Sequence, residues 1–507
     1  MLFWILLLLL TTVFLYYHFF FKKLQLPGPT PLPFLGNVLD LNRVKRYEFR
    51  FIQWAKQFGP IYTYWIGELP VVAVCEAQLA KKMFITNGED YVGRQKTASF
   101  QRFLRDKPNA GVIFVDGQRW RDARRFILKT FRNFGLNKNQ MQERVLDEIQ
   151  TIIVNIRADI DRNVDEHDFH RHTDIAVGSV INNLVLGFRF TQDGREQEFY
   201  HYKELTTSII RCLTQPIVVI ARFNDLFFKL TRRYLAHLYR PFEEMFEFLE
   251  SNVRRRIEQK DLDEHAEPRD FVDAFLLEKL KLERENAPNA AFYTIDQLVG
   301  ICFDIWFAGQ ETTSTTLTWT IAFLICNPDV QAKLHAELDA MIGSDRLVMM
   351  ADRSDLPYTN AVIMEAQRTA NIISQNVFRT TTKDVEVEGY RIPKGTCCIA
   401  QISALQYDPK VFPNPEQFRP ERFIDEKGHL KHYDEFIPFG LGKRSCLGLG
   451  LANMELFLFI TNLFNQFEFL SGNIAPVCEK WPTSGSTACK PYRCRLRKRF
   501  QPQTCSS

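Results

Sequence analysis

The sequence lacks an excess of charge of either sign: 64 Lys and Arg stand against 60 Asp and Glu over 507 residues, a formal net charge of +4. A near-neutral chain of this size offers no global electrostatic attraction for nucleic acid, so any basic function is confined to a local patch. Cys-x-x-Cys spacing is missing as well. The 11 cysteines are odd in number and scattered, which excludes a zinc ribbon or a disulfide framework and suits small buried thiols in a reducing compartment. No repeat of fixed period is found. Disorder and collagen-like structure are excluded by a 46% apolar composition. The N-terminal hydrophobic run has no basic segment before it and no small-x-small site after it, so it does not read as a cleaved signal peptide.

What is present begins with that run. From Leu2 to Phe21 only His18 could carry charge near neutral pH, and at ~1.5 Å per residue the run spans about 30 Å, one bilayer core. Residues 1–21 therefore read as a retained transmembrane anchor. Lys22 and Lys23 follow it, and the positive-inside rule places the rest of the chain in the cytosol. Residues 22–37 form a basic, proline-rich hinge in which Pro27, Pro29, Pro31 and Pro33 forbid helix and central strand. Residues 38–507 form the body. Pro60–Val74 reads as a hairpin, residues 118–340 as mainly helical, Val385–Ile399 as strand-rich with turns at Gly389 and Pro393-Lys394-Gly395, and the tail from Trp481 as turn and strand. The expected architecture is mainly α, an α-rich body with small peripheral β-sheets. The 44 phenylalanines favour an aromatic core and apolar cavities.

The segment richest in chemistry is Phe439-Gly440-Leu441-Gly442-Lys443-Arg444-Ser445-Cys446-Leu447-Gly448. A thiolate that ligates iron needs glycines that let the backbone turn beneath the metal, amide N–H groups aimed at sulfur, and shielding from water. The loop runs into an apolar helical segment, Leu449–Phe464, whose N-terminal dipole lowers a thiol pKa. This pattern resembles the haem loop of the cytochrome P450 family, the haem-thiolate monooxygenases. The resemblance implies that Cys446 is the axial ligand to the iron of haem b (iron protoporphyrin IX), that Phe439 shields its sulfur, and that Arg444 pairs with a haem propionate.

Other segments match the family in its order. Thr294-Ile295-Asp296-Gln297 forms a capping box opening a helix that need not stop before Asn327-Pro328, roughly 48 Å long. Its middle, Ala308-Gly309-Gln310-Glu311-Thr312-Thr313, places a Thr312 hydroxyl in reach of the Ala308 carbonyl, which would open the helix ladder beside small residues that leave room for a diatomic ligand. Thr313, about 100° round the helix, faces elsewhere. The family's oxygen-activation motif has this form, which implies that Thr312 steadies the oxygen being activated and Glu311 relays protons to it. Glu365 and Arg368, with Arg422 in Pro415–Phe423, match a buried structural triad. The proline usual after such a pair is missing from Thr369–Gln375. Arg379 matches a propionate-binding position, and Trp120 and Arg124 match the family's Trp-x-x-x-Arg, whose i, i+4 spacing puts both on one helical face.

The resemblance, from the anchor to the tail at Gly485–Leu496, is with the animal microsomal branch. It implies insertion of one atom of O2 into a lipophilic substrate (fatty acid, sterol or xenobiotic) at the endoplasmic reticulum membrane. Electrons would come from NADPH through a cytochrome P450 reductase, with cytochrome b5 as a second donor; membrane lipid is the other partner, and nucleic acid is none. A haem-thiolate isomerase or dehydratase without need of O2, or a non-catalytic haem sensor, would share the Cys446 loop but have no use for Glu311 and Thr312. Arg121, Arg125, Lys129 and Arg132 form a basic stripe where the family docks acidic electron donors, or an ordinary solvated face. Segments near Phe100–Phe114, Leu205–Ile220, Phe303–Phe307 and Ile372–Phe378 are expected to line an apolar pocket.

Overall fold

The fold is that of a computed structural model, which describes all residues except 1, 22–23, 34, 43–46, 96–109, 135–138, 193, 216, 219–220, 222–224, 260–266, 479–487 and 501–507. Lys22, Lys23 and Trp481 thus lie outside the described residues. The principal helices are α1 (Leu2–Tyr16), α2 (Tyr47–Phe58), α3 (Gly117–Asn133), α4 (Asn139–Asp161), α5 (Phe169–Leu186), α6 (Glu196–Thr214), α7 (Asp225–Leu235), α8 (Arg240–Gln259), α9 (Phe271–Arg284), α10 (Ile295–Cys326), α11 (Pro328–Met341), α12 (Pro357–Ala370) and α13 (Leu449–Gln466). The strands are β1 (Ile61–Ile66), β2 (Leu69–Val74), β3 (Arg379–Thr380), β4 (Val385–Val387), β5 (Tyr390–Ile392), β6 (Cys397–Ala400), β7 (Phe467–Ser471) and β8 (Cys494–Lys498).

The body is helix-rich with small sheets, as the sequence predicts. The β1–β2 hairpin pairs Ile61 with Val74, and β6 lies parallel to β2, giving the order β1-β2-β6-β3. The strand-rich stretch from Val385 divides: β4 and β5 make their own hairpin about Gly389, while β6 joins the larger sheet. α1 leads into a further helical turn at Tyr17–Phe21, and Leu2–Phe19 is long and apolar enough to cross a membrane.

α10 runs 32 residues through the core, with Trp306 and Trp319 buried. It packs against α5, α8, α12 and α13, which fits a helix that is apolar nearly all round. Its start corrects one expectation. Thr294 does cap the Gln297 N–H, but the Gln297 amide does not reach back: it exchanges hydrogen bonds of 2.9 and 3.2 Å with the Gly111 backbone. Gln297 thereby ties the segment before α3 to the central helix. A second correction concerns the cysteines. Cys326 and Cys478 form a disulfide, because residues 474–478 fold back over the end of α10, where Cys326 also lies against the Pro476 carbonyl. The other described cysteines are free thiols.

Candidate active site

The Cys446 loop owes its shape to backbone. Gly442 has φ +63°, and a Cβ there would fall 1.8 Å from the Phe84 carbonyl oxygen, so only glycine permits this approach. The Cys446 N–H donates to the Phe439 carbonyl at 2.9 Å, closing the loop on itself. The sulfur opens into an internal cavity that Phe439 also lines. Burial raises the thiol above its ordinary pKa, against the opposing pull of the Gly448 and Leu449 N–H groups and of Arg124. The helix start alone therefore does not lower this pKa, as the sequence suggested. A bound metal cation deprotonates such a thiol outright.

Three arginines, Arg94, Arg124 and Arg444, line the same cavity, and Arg379 lies close enough behind them to repel Arg94 and Arg444 and to be repelled by Arg124. Arg444 donates to the Val92 and Val115 carbonyls and stacks 3.8 Å over the Trp120 ring. Arg379 donates to Leu441 O at 2.6 Å, and Arg124 to Ser445 O at 2.9 Å. The fourth is Arg94, which donates to the carbonyls of Ile113 and Phe378 and which sequence reasoning missed. Nothing in the local sequence marks it, since Gly93-Arg94 carries no periodicity. Burial and mutual repulsion bring these guanidiniums down, Arg444 to about 8, Arg94 to about 9 and Arg379 to about 10. Four cations buried this closely call for anionic charge from outside the chain. A flat group with two carboxylates set above a cysteine sulfur meets that demand, so the residues present fit haem.

The opposite wall comes from α10. Thr312 donates to the Ala308 carbonyl at 2.6 Å, as its spacing predicts, yet the helix remains α-helical through this turn. Gly309 serves a packing need in addition to lining the cavity: a Cβ on it would fall 2.7 Å from Ile181 of α5. Two side chains depart from expectation. Glu311 does not line the cavity; its carboxylate is paired with Lys203 of α6, which also holds Asp174 of α5 at 3.0 Å. Burial would lower the Lys203 pKa, but Asp174 and Glu311 outweigh it and hold it above its ordinary value. Thr313, expected to face elsewhere, lines the cavity, as does Glu455 of α13.

The cavity measures about 330 Å³. Its apolar wall includes Ile113, Ile305, Ile372 and Val377, but Phe303 and Phe307 turn instead into an aromatic stack with Phe246 of α8. Among the described residues none of 205–220 lines it, and 100–109 lie outside the description. Asp304 brings a buried carboxylate to the wall, held by the N–H groups of Val112 (2.6 Å) and Ile113 (3.0 Å).

Below the site, Arg368 binds Glu365 with two hydrogen bonds of 2.7 and 2.8 Å, and Arg422 adds a third at 3.0 Å. Arg368 also reaches the Gln406 and Pro415 carbonyls, joining α12 to the chain before the haem loop. The missing proline is replaced by side-chain bonds: Ser403 and Gln401 both donate to the Ser374 carbonyl, and Tyr64 donates to Gln375 at 2.7 Å. The basic stripe on α3 is largely neutralised, since Arg121 pairs with Glu89 (2.9 Å), Arg125 with Asp122 (3.6 Å) and Lys129 with Glu278 (3.9 Å).

A cysteine sulfur at the start of one helix, facing a second helix across a cavity ringed with guanidiniums, defines a haem-thiolate enzyme. The cytochrome P450 family model matches residues 26–495, and the chain belongs to that family. It is 36% identical over 450 residues to mouse (Mus musculus) cytochrome P450 2A5, and 35% identical over 450 residues to human (Homo sapiens) cytochrome P450 2A13; both matches cover 88% of this chain and 87% of the relative. Rabbit (Oryctolagus cuniculus) cytochrome P450 2C16 is 34% identical over 447 residues, 88% of each chain. The protein is a P450 monooxygenase, with haem, a cysteine thiolate ligand, use of O2, lipophilic substrates and a redox partner.

Proposed function

We propose that Cys446 is the thiolate ligand of the haem iron and that Arg94, Trp120, Arg124, Arg379 and Arg444 hold the haem carboxylates, with Phe439 beside the sulfur. The observation that carries this reading is a cluster of four mutually repelling arginines, three of which (Arg94, Arg124 and Arg444) line the cavity into which Cys446 opens. When bound, the haem supplies activation of O2 and transfer of one oxygen atom to a C–H bond. Thr312 presents a hydroxyl at the cavity wall, and the apolar side chains around Ile305 and Ile372 exclude water and orient a lipophilic substrate. Glu365, Arg368 and Arg422 keep the chain leading to the loop in place.

In this reading residues 1–21 anchor the protein in the endoplasmic reticulum membrane, 22–37 form the hinge and 38–507 the cytosolic catalytic body. NADPH supplies electrons through cytochrome P450 reductase, and cytochrome b5 is a second donor. Fatty acids, sterols and xenobiotics are the substrate classes that suit the cavity. Reconstituted with the reductase in lipid, the full chain should consume NADPH and O2 with a hydroxylated product from a panel of these compounds. Product formed without NADPH or O2 would establish the isomerase reading instead. Removal of residues 1–21 should release the protein from carbonate-washed membranes with its haem spectrum intact; tight attachment of the truncated chain would refute a sole anchor.

A further inference from the structure

Among the described residues only Cys326 and Cys478 are joined by a disulfide, and both are exposed. Of the other described cysteines, Cys446 opens into the haem cavity, Cys75 is half-buried and the rest are buried free thiols. A reducing compartment keeps thiols apart, so a disulfide there is one that forms and breaks, and an exposed one exchanges most readily.

The two sides of the pair are held differently. Cys326 ends α10, and that end is fixed without the disulfide: Tyr492 donates to the Thr318 carbonyl at 3.0 Å, Gln331 donates to the Leu324 carbonyl at 3.2 Å, and Phe323 stacks on Phe418 with ring centres 4.8 Å apart. Cys478 ends a strap, residues 474–478, without regular secondary structure and with Ile474 and Val477 exposed. At the start of the strap the Asn473 N–H donates to Glu166 and the Arg493 N–H to the Ile474 carbonyl, both at 2.9 Å. Beyond Ile474 the described hydrogen bonds of the strap are those of the two sulfurs, Cys326 with the Pro476 carbonyl at 3.7 Å and Cys478 with the Ala322 carbonyl at 3.9 Å. Such weak S–H donors leave each thiol an acceptor when the S–S bond is open but do not hold the strap as a covalent bond does.

We propose that Cys326–Cys478 is a reversible exchange site for a small-molecule thiol of the glutathione class, and that its reduction releases the strap from the end of α10. The thiolate of the small molecule attacks one exposed sulfur; the S–S bond breaks, a mixed disulfide forms, and the other cysteine leaves as a thiolate that takes up a proton. A second thiol attacks the mixed disulfide and frees the remaining cysteine. The protein disulfide gains two electrons and two protons, and the two small thiols leave as one disulfide, which in excess runs the exchange backwards. Cys326 lies roughly 20 Å along α10 from Thr312, so the exchange acts on the strap and leaves the haem site as it is. Which state prevails in the cell rests on the cytosolic placement of the body proposed above; the exchange itself does not.

The test uses the full-length, haem-loaded protein, equilibrated without air in glutathione buffers of stepped reduced-to-oxidised ratio, quenched with iodoacetamide and read by peptide mass spectrometry. Alkylation of Cys326 and Cys478 should rise together across the series, while the buried Cys302 and Cys398 stay unlabelled and the ferrous–CO spectrum is constant. Elastase should cut within 474–478 several-fold faster in the reduced form than in the oxidised form, and Cys478→Ser should be cut at the fast rate at every ratio. A pair alkylated at every ratio, a pair that no ratio opens, or equal cutting of the two forms would overturn the proposal. Should Cys478→Ser fail to fold, the wild-type titration and digestion decide it.

Discussion

The two walls of the cavity are built by different means. On the sulfur side nearly every fixed point is backbone: Gly442 is pressed against the Phe84 carbonyl, the Cys446 N–H is held by Phe439, and the arginines are pinned by carbonyl oxygens. On the helix side the decisive contacts join side chains from distant segments: Lys203 of α6 with Glu311 of α10 and Asp174 of α5. A wall held by backbone tolerates few substitutions because no rotamer change relieves the clash. A wall held by side chains can lose one contact and keep its shape, so its failures should appear first in proton delivery and stability.

The largest effect is expected on the sulfur side. Cys446→Ala should abolish the red-shifted Soret band of the ferrous CO complex, whereas Cys302→Ala should leave it; retention of the band in the first variant would remove Cys446 as the ligand. Gly442→Ala should cut the yield of haem-loaded protein nearly as far, measured as haem per polypeptide. Next comes the ion pair that closes the helix side. Lys203→Met strands two largely buried carboxylates and should cost on the order of 3 kcal/mol in denaturant unfolding, with the CO spectrum unchanged. A loss within experimental error would mean that water reaches the pair freely.

The third effect is a pH dependence. Glu455 has an ordinary pKa of 4.5 and a folded value of about 8, so the folded state holds a proton that the unfolded state has released. Stability from this group is therefore greatest below pH 4.5 and declines as pH rises to about 8, by up to ~1.4 kcal/mol per pH unit. Glu455→Gln should flatten that slope, and parallel stability–pH curves for wild type and variant would show that the carboxyl is ionised throughout. Thr312→Ala should come fourth, with several-fold more hydrogen peroxide per product at unaltered substrate binding. The smallest effect is expected from reversing the charges of Arg125 and Lys129. Exposed pairs such as theirs contribute little, and because both already face acidic neighbours the first electron transfer should slow by no more than about twofold at physiological salt. A tenfold loss would make this stripe the dominant docking surface.

Much of this was legible because it is local. A helix of the length of α10 follows from apolar periodicity bounded by Thr294 and Pro328, the Thr312–Ala308 bond follows from i, i+4 spacing, and the glycines about Cys446 announce a turn that no other residue could make. The Glu365–Arg368 pair likewise needs only one helical turn. Arg94 escaped notice because its role depends on meeting Arg379 and Arg444, hundreds of positions away in the chain. The relay role that the motif implies for Glu311 carries no sign of its partner, because a motif fixes position along a helix but not the pull of Lys203 on another helix. The inward turn of Thr313 is hidden for the same reason: the cavity it lines is closed by α13, far along the chain.

The sequence by itself determined the apolar N-terminal helix, the helical body and the sulfur that faces the cavity, since each depends on hydrophobic composition, helix geometry or the conformational freedom of glycine within a few residues. Only the tertiary structure decided which charges neutralise one another, which acid faces inward and which cysteines pair. Those outcomes turn on distances and burial that arise when remote segments pack, because electrostatic and desolvation energies depend on where a group ends up in space rather than on its place in the chain.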